Sequence, residues 1–210
     1  MSRKLDDKYL KKKKFKINII TLGDFAVGKT SLFNRYIDNS FSHNYLATTG
    51  LNTLFKKIKL QNGQEIKVEI SDTSGQERFK SLANNYMLKG NGILLVYDIT
   101  NKSSFEHVNE WANEIKEQSQ GDKPIILIGN KIDLEEKRCV TKEEGEEFAK
   151  KYCDGGIKFY ETSCLTGENV CEAINDLAEQ IYKKFFENGL NEGNNVQLGG
   201  EKNEKKRKCC

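Results

Sequence analysis

Residues 15–38, FKINIITLGDFAVGKTSLFNRYID, pass from an increasingly apolar strand through a glycine-bearing turn into Ser31 to Asp38, where apolar residues recur at helical spacing. A strand feeding a helix through so short a loop commits the chain to a sheet with helices laid on it. GILLVYDI and PIILIGN are unbroken apolar runs, as in strands covered on both faces. Each precedes a helix-start spacing, Ser103 with Glu106 and Thr141 with Glu144, and both are predicted capping boxes. LFKKIKL and EIKVEI alternate and meet across Asn62-Gly63, a hairpin signal. IKFYET reads as the last strand, and Val170, Ile174, Leu177, Ala178, Ile181 and Phe185 trace a final helix that Gly189 stops. The predicted fold class is α/β: a mostly parallel six-stranded sheet with one antiparallel strand and helices on both faces. In such sheets ligands bind at the carboxyl ends of the strands.

At 210 residues this is one domain, 15–187, between a basic arm, 1–14, and a tail, 188–210, whose Asn, Gly and charge predict disorder. The arm holds seven Lys/Arg against two Asp, and residues 201–210 hold five against two Glu, so the net charge of +3 hides a mildly acidic body. That distribution argues against a protein that coats nucleic acid. No apolar run approaches the roughly 18–20 residues that span a bilayer, and the amino end lacks a signal-peptide core. A reducing compartment is therefore expected. Cys139, Cys153, Cys164 and Cys171 show no C-x-x-C spacing and read as small apolar or loop thiols, not zinc ligands. Cys209 and Cys210 differ, because they end a polar tail.

Gly23-Asp-Phe-Ala-Val-Gly28-Lys29-Thr30 fits G-x-x-x-x-G-K-[ST] and lies between a strand and a helix, where the motif's mechanism needs it. This is the mark of a P-loop NTPase. The glycines let the backbone curl so that N–H groups of Ala26, Val27, Gly28, Lys29, Thr30 and Ser31, at a positive helix end, face a polyphosphate. Lys29 adds a point charge on the outer phosphates, and Thr30 offers a hydroxyl to Mg²⁺. Asp72, closing the strand KVEIS, is expected to hold Mg²⁺ through water, with the Gly75 N–H on a γ-phosphate. Asn130-Lys131-Ile-Asp133 follows the strand PIILIG. A buried Asp133 carboxylate there would accept from N1–H and the 2-amino group of guanine, donors that adenine lacks. Glu161-Thr162-Ser163-Cys164 completes the pocket, with backbone N–H groups from Ser163, Cys164 and Leu165 toward guanine O6.

With GDFAVGKT, DTSGQERF, NKID and ETS in this order over residues 15–187, the chain resembles the Ras superfamily of small GTPases, and within it the Rab family. The resemblance implies the small G-protein fold, with GTP/GDP and Mg²⁺ as ligands. It implies that the Thr48 hydroxyl binds Mg²⁺ while its N–H senses the γ-phosphate. Phe41 then packs on the guanine base, and Gln76 is the catalytic residue that positions the attacking water. GTP would tether two loops through Thr48 and Gly75, and slow hydrolysis would release them. Implied partners are a guanine nucleotide exchange factor, a GTPase-activating protein supplying an arginine, effectors, and prenylation and membrane-extraction chaperones, acting on a monomer.

The match also fails in places. Phe25 stands where Rab proteins generally carry a small residue. Its ring either crowds Gln76 and an incoming arginine, giving slow or activator-resistant hydrolysis, or it points outward. Thr49-Gly-Leu-Asn-Thr53 replaces Ile-Gly-Val-Asp-Phe, and Ser71 replaces a Trp, so two aromatics of the effector-facing cluster are absent while Tyr86 remains. Ser74 and Met87-Leu88-Lys89 are further departures. Effectors of common Rab proteins are expected to bind this chain poorly.

The terminal Cys209-Cys210 resembles the Rab prenylation signal. Two lipid chains, or one beside the basic run Lys205 to Lys208, would hold a membrane firmly at about 0.8 kcal/mol per buried CH₂. The chain is thus expected to be cytoplasmic, attached to the cytosolic face of intracellular membranes, as a timed switch in vesicle traffic. The alternative is a hydrolysis-impaired, mostly GTP-bound membrane scaffold. His43 and His107 receive no role from the sequence, and Trp111 reads as core.

Overall fold

β1 (Phe15–Leu22) lies inside the sheet, with β3 (Glu65–Asp72) on one side and β4 (Gly92–Asp98) on the other, both parallel to it. The strand order is β2-β3-β1-β4-β5-β6, with β2 (Asn52–Lys59), β5 (Ile125–Asn130) and β6 (Lys158–Thr162). Only β2 runs against its neighbour, pairing with β3 from Asn52↔Asp72 to Lys59↔Glu65. The expected six-stranded α/β fold is therefore what the chain forms. This computed structural model describes residues 15–42, 52–72, 87–118, 123–152 and 155–187. Thr48, Gly75, Gln76, Tyr86, Gly189, Cys209 and Cys210 lie outside the described residues, as do the basic arm and the tail.

The apolar runs behave as both-face strands should. On β4, Leu94 and Val96 join a core with β1 residues Ile17 and Ile19, with Leu32, Phe33 and Tyr36 of α1 (Lys29–Asp38), and with Ile174, Leu177 and Ile181 of α5 (Val170–Tyr182). Ile93, Leu95 and Tyr97 point the other way. They pack with Ile20 and Leu22, with Val108, Trp111 and Ile115 of α3 (Val108–Gln118), and with Ala149 of α4 (Lys142–Lys151). Period-2 alternation on strands between two helical layers gives two cores separated by one sheet.

The helix starts follow local chemistry, with one correction. Thr141 and Glu144 form the expected capping box on α4, with reciprocal bonds of 3.2 and 2.8 Å. Ser103 does not cap α2 (Lys102–Glu106); Asn101 does, its side chain accepting from the Ser104 N–H at 3.2 Å. Asn101 is the extended residue just outside the helix, the position from which a side-chain cap typically acts, whereas Ser103 is already within it. Because five strands run parallel, their carboxyl ends share one rim. Chain direction splits at β1, which makes that rim a switch point.

Candidate functional site

The loop after β1 forms the end of the rim where the motif places a phosphate. Gly28 (φ 99°) caps α1 in a left-handed conformation, and a Cβ there would meet Asn130 Nδ2 at 2.2 Å. A Cβ on Gly23 (φ 136°) would lie 2.0 Å from the Val96 carbonyl oxygen of β4. Both positions demand glycine for conformation and for space. Lys29 folds back across the loop, its Nζ donating to Gly23 O at 2.8 Å and Asp24 O at 2.6 Å. Burial drives the Lys29 pKa down to about 8, against the raising pull of Asp72 and Asp24. Among described residues the only strand-end carboxylate touching this helix start is Asp72, wholly buried on β3, whose Oδ2 accepts from Thr30 Oγ1 at 2.6 Å. A hydroxyl and a carboxylate side by side are hard oxygen donors, the set that suits Mg²⁺ when phosphate and water complete its shell. The pair leaves the rest of the shell to phosphate and water, as suits a phosphate-borne Mg²⁺.

The base end is assembled from three separate stretches. Asn130, buried at the end of β5, donates through Nδ2 to Val27 O at 2.9 Å. Its Oδ1 accepts from Thr162 Oγ1 at 3.1 Å and Cys164 Sγ at 3.3 Å. This one amide therefore ties the phosphate loop to the loop after β6. Burial pushes the Cys164 thiol up to about 12, so it stays a neutral donor. Lys131 takes a left-handed conformation (φ 72°) that turns the chain into a 3₁₀ segment, Ile132–Lys137, which carries Asp133. Ser163 Oγ donates to Asp133 Oδ1 and also accepts from the Thr166 N–H at 3.1 Å. Asp133 is exposed, not buried as expected, because the 3₁₀ turn holds it at the open lip of the rim. The burial that discrimination needs would have to come from a base seated there. Ala26 is exposed at the loop, Val27 is buried beneath it, and Ser31 is partly buried on α1. Phe41 packs against the core beside the end of α1, and half-exposed Leu165 follows Cys164.

Several residues with no sequence-derived site role prove to hold this rim together. Lys131 Nζ pairs with Asp98 Oδ2 at 2.6 Å, and Asp98 closes the apolar run of β4, which was the available signal. His107 Nδ1 meets Asp24 Oδ2 at 2.6 Å, and Trp111 Nε1 donates to Asp24 Oδ1 at 3.0 Å. Trp111 is thus core, as expected, and a phosphate-loop anchor as well. Arg138 bridges Glu135 of the 3₁₀ segment to Glu161 at the end of β6, and no local pattern pointed to that pair. Ser71, which replaces the Trp of the resembled pattern, is buried and donates to Asn18 Oδ1 at 3.1 Å. The Phe25 ring is 44% exposed.

The family model for the Ras family matches residues 18–183. Human Ras-related protein Rab-8B is 40% identical over 182 residues, covering 87% of this chain and 86% of the relative. Ras-related protein Rab-13 of Mesocricetus auratus is 40% identical over 166 residues, 79% of this chain and 80% of its own. GTP-binding protein ypt2 of Schizosaccharomyces pombe is 39% identical over 197 residues, 92% and 96% respectively. Ras-family proteins bind guanine nucleotide and Mg²⁺ in general, and Rab proteins interact with exchange factors, activating proteins and effectors. A rim that pairs a Gly-Lys-Thr loop with an Asn-Lys-x-Asp turn is the family's own, and the chain is a Rab small GTPase of the Ras family.

Proposed function

We propose that this chain binds GTP and GDP with Mg²⁺ at the carboxyl rim, hydrolyses GTP slowly, and acts as a switch in vesicle trafficking on the cytosolic face of intracellular membranes. The observation that carries this reading is Asn130, whose amide couples Val27 of the phosphate loop to Thr162 and Cys164 of the base-facing loop. One ligand long enough to touch both ends, a nucleoside polyphosphate, fits a rim so joined.

Lys29, Thr30 and the loop N–H groups bind and orient the phosphates, and Thr30, Thr48 and Asp72 are the residues that would hold Mg²⁺. When bound, that ion neutralises charge developing on the phosphate oxygens. Gln76 orients the water whose oxygen attacks the γ-phosphorus as the bond to the bridging oxygen breaks. With positioning as the main contribution, turnover stays slow until an activating protein supplies an arginine. Loss of the γ-phosphate frees the segments at Thr48 and Gly75, and partner affinity changes. Cys209 and Cys210 carry the lipid, extraction chaperones handle the lipidated form, and the chain works as a monomer.

The 44% exposure of Phe25 supports this switch over the hydrolysis-impaired scaffold, because a ring so exposed is not packed into the loop. Single-turnover GTP hydrolysis by wild type and Phe25→Ser, with and without an activating protein, tests the choice. Rates within about threefold of each other are expected if the ring stays clear of the γ-phosphate, since positioning is then intact. A large acceleration in the variant would favour the scaffold. The nucleotide released from purified native protein, identified by chromatography, tests the reading itself: guanine nucleotide is expected, and adenine nucleotide would overturn it.

A further inference from the structure

We infer that Arg35 is a positioning residue for guanine recognition, coupling the phosphate-binding helix to the backbone that reads the base. It lies in the last turn of α1. Its Nε donates to Cys164 O at 2.7 Å and its Nη2 to Leu165 O at 2.8 Å. Its Nη1 donates to Asn39 O at 2.9 Å and Asn39 Oδ1 at 3.1 Å, at the left-handed residue that ends α1 just before Phe41. One planar fork thus uses four N–H bonds to fix both the base-facing loop and the exit of the helix, which a lysine's point charge cannot do.

The peptide plane converts this grip into aim. In a trans peptide the N–H points opposite to the preceding carbonyl. With the Cys164 and Leu165 carbonyls both turned to Arg35, the N–H groups of Leu165 and Thr166 must face away from it. The Thr166 N–H does so, ending on Ser163 Oγ, which itself bonds Asp133. The Leu165 N–H likewise faces away from Arg35, and among the described residues it has no hydrogen-bond partner. Donor and carboxylate then converge on one edge of a purine: the N–H on O6, Asp133 on N1–H and the 2-amino group. This rests on the proposed reading of the rim as a guanine site. It adds that O6 recognition depends on a guanidinium that never touches the nucleotide.

The test uses the full chain with Mg²⁺ and three diphosphates. GDP carries O6, N1–H and the 2-amino group, inosine diphosphate keeps O6 and N1–H, and 2-aminopurine riboside diphosphate keeps the 2-amino group alone. For Arg35→Ala, GDP and inosine diphosphate should each weaken about tenfold or more, the scale of one or two hydrogen bonds, while the analogue lacking O6 changes less than about threefold. Arg35→Lys should fall between the variant and wild type. Equal weakening of all three ligands would overturn the inference and leave Arg35 a general support. If Arg35→Ala does not fold, Arg35→Lys gives the same comparison. ADP serves as a fourth ligand: failure of wild type to prefer GDP over ADP would strike the guanine reading and the inference with it, whereas a retained GDP preference with equal weakening of the three ligands would strike the role of Arg35 alone.

Discussion

The two ends of the rim are built on different principles. The loop at the phosphate end is contiguous in sequence, and its shape depends on two glycines whose Cβ positions are filled by Val96 and Asn130. The base end gathers Asn130, Asp133, Ser163 and Cys164 from separate elements, and side-chain hydrogen bonds hold it. A backbone cradle fails by steric intrusion, whereas a polar assembly fails by loss of partners. The two ends should therefore respond to opposite kinds of mutation.

The largest effect should be steric. Gly23→Ala places a methyl 2.0 Å from a β4 carbonyl in a left-handed conformation and should cost roughly 2–5 kcal/mol of stability in urea unfolding. A loss below about 1 kcal/mol would mean that the cradle yields, and the contrast between the ends would break. At the base end, Asn130→Ala deletes three hydrogen bonds without adding an atom. About 2–3 kcal/mol of stability should go, and nucleotide should dissociate at least tenfold faster in a stopped-flow release assay. Unchanged dissociation would deny that the amide couples the ends.

A smaller effect is expected where α3 grips the phosphate loop. Trp111→Phe keeps the ring in the core and removes the donor to Asp24, so about 1 kcal/mol should be lost in the same unfolding assay. A loss several times larger would mark Trp111 as packing before anchor.

The smallest effect is a proton. Burial sets the Lys29 pKa at about 8 against 10.5 for the unconstrained side chain, so between these values the unfolded chain binds more protons than the fold. Stability of the free protein should consequently gain as pH rises through that window. Phosphate binding favours the ammonium, so nucleotide binding near pH 8.5 should take up a fraction of a proton. Calorimetry in buffers of different ionisation enthalpy reads this directly, and zero uptake would refute the depressed pKa.

The same division explains what the sequence disclosed. Strands such as GILLVYD were legible because burial on both faces leaves an unbroken apolar run, and the phosphate loop because its residues are adjacent. The Thr141 cap was legible and the Asn101 cap was not, since Ser103, two residues on, offered an equally good spacing. Asn130 and Asp133 were readable as a motif, but their partners were not. Arg35 lies about 130 positions from the carbonyls it holds, and His107 and Trp111 more than 80 from Asp24. Contacts at such separations leave no local period or spacing. The exposure of Asp133 escaped for a related reason: the 3₁₀ turn that lifts it depends on a left-handed Lys131, which is not a residue type that announces such a turn.

The most direct test is equilibrium titration of nucleotide-free protein with GDP and with ADP in Mg²⁺, for wild type and Asp133→Ala. The rim described here predicts that wild type prefers GDP by at least about a thousandfold, as sites built on buried polar recognition do, and that Asp133→Ala collapses the preference to about tenfold or less. Equal affinity of wild type for the two nucleotides, or a preference untouched by the substitution, would contradict it.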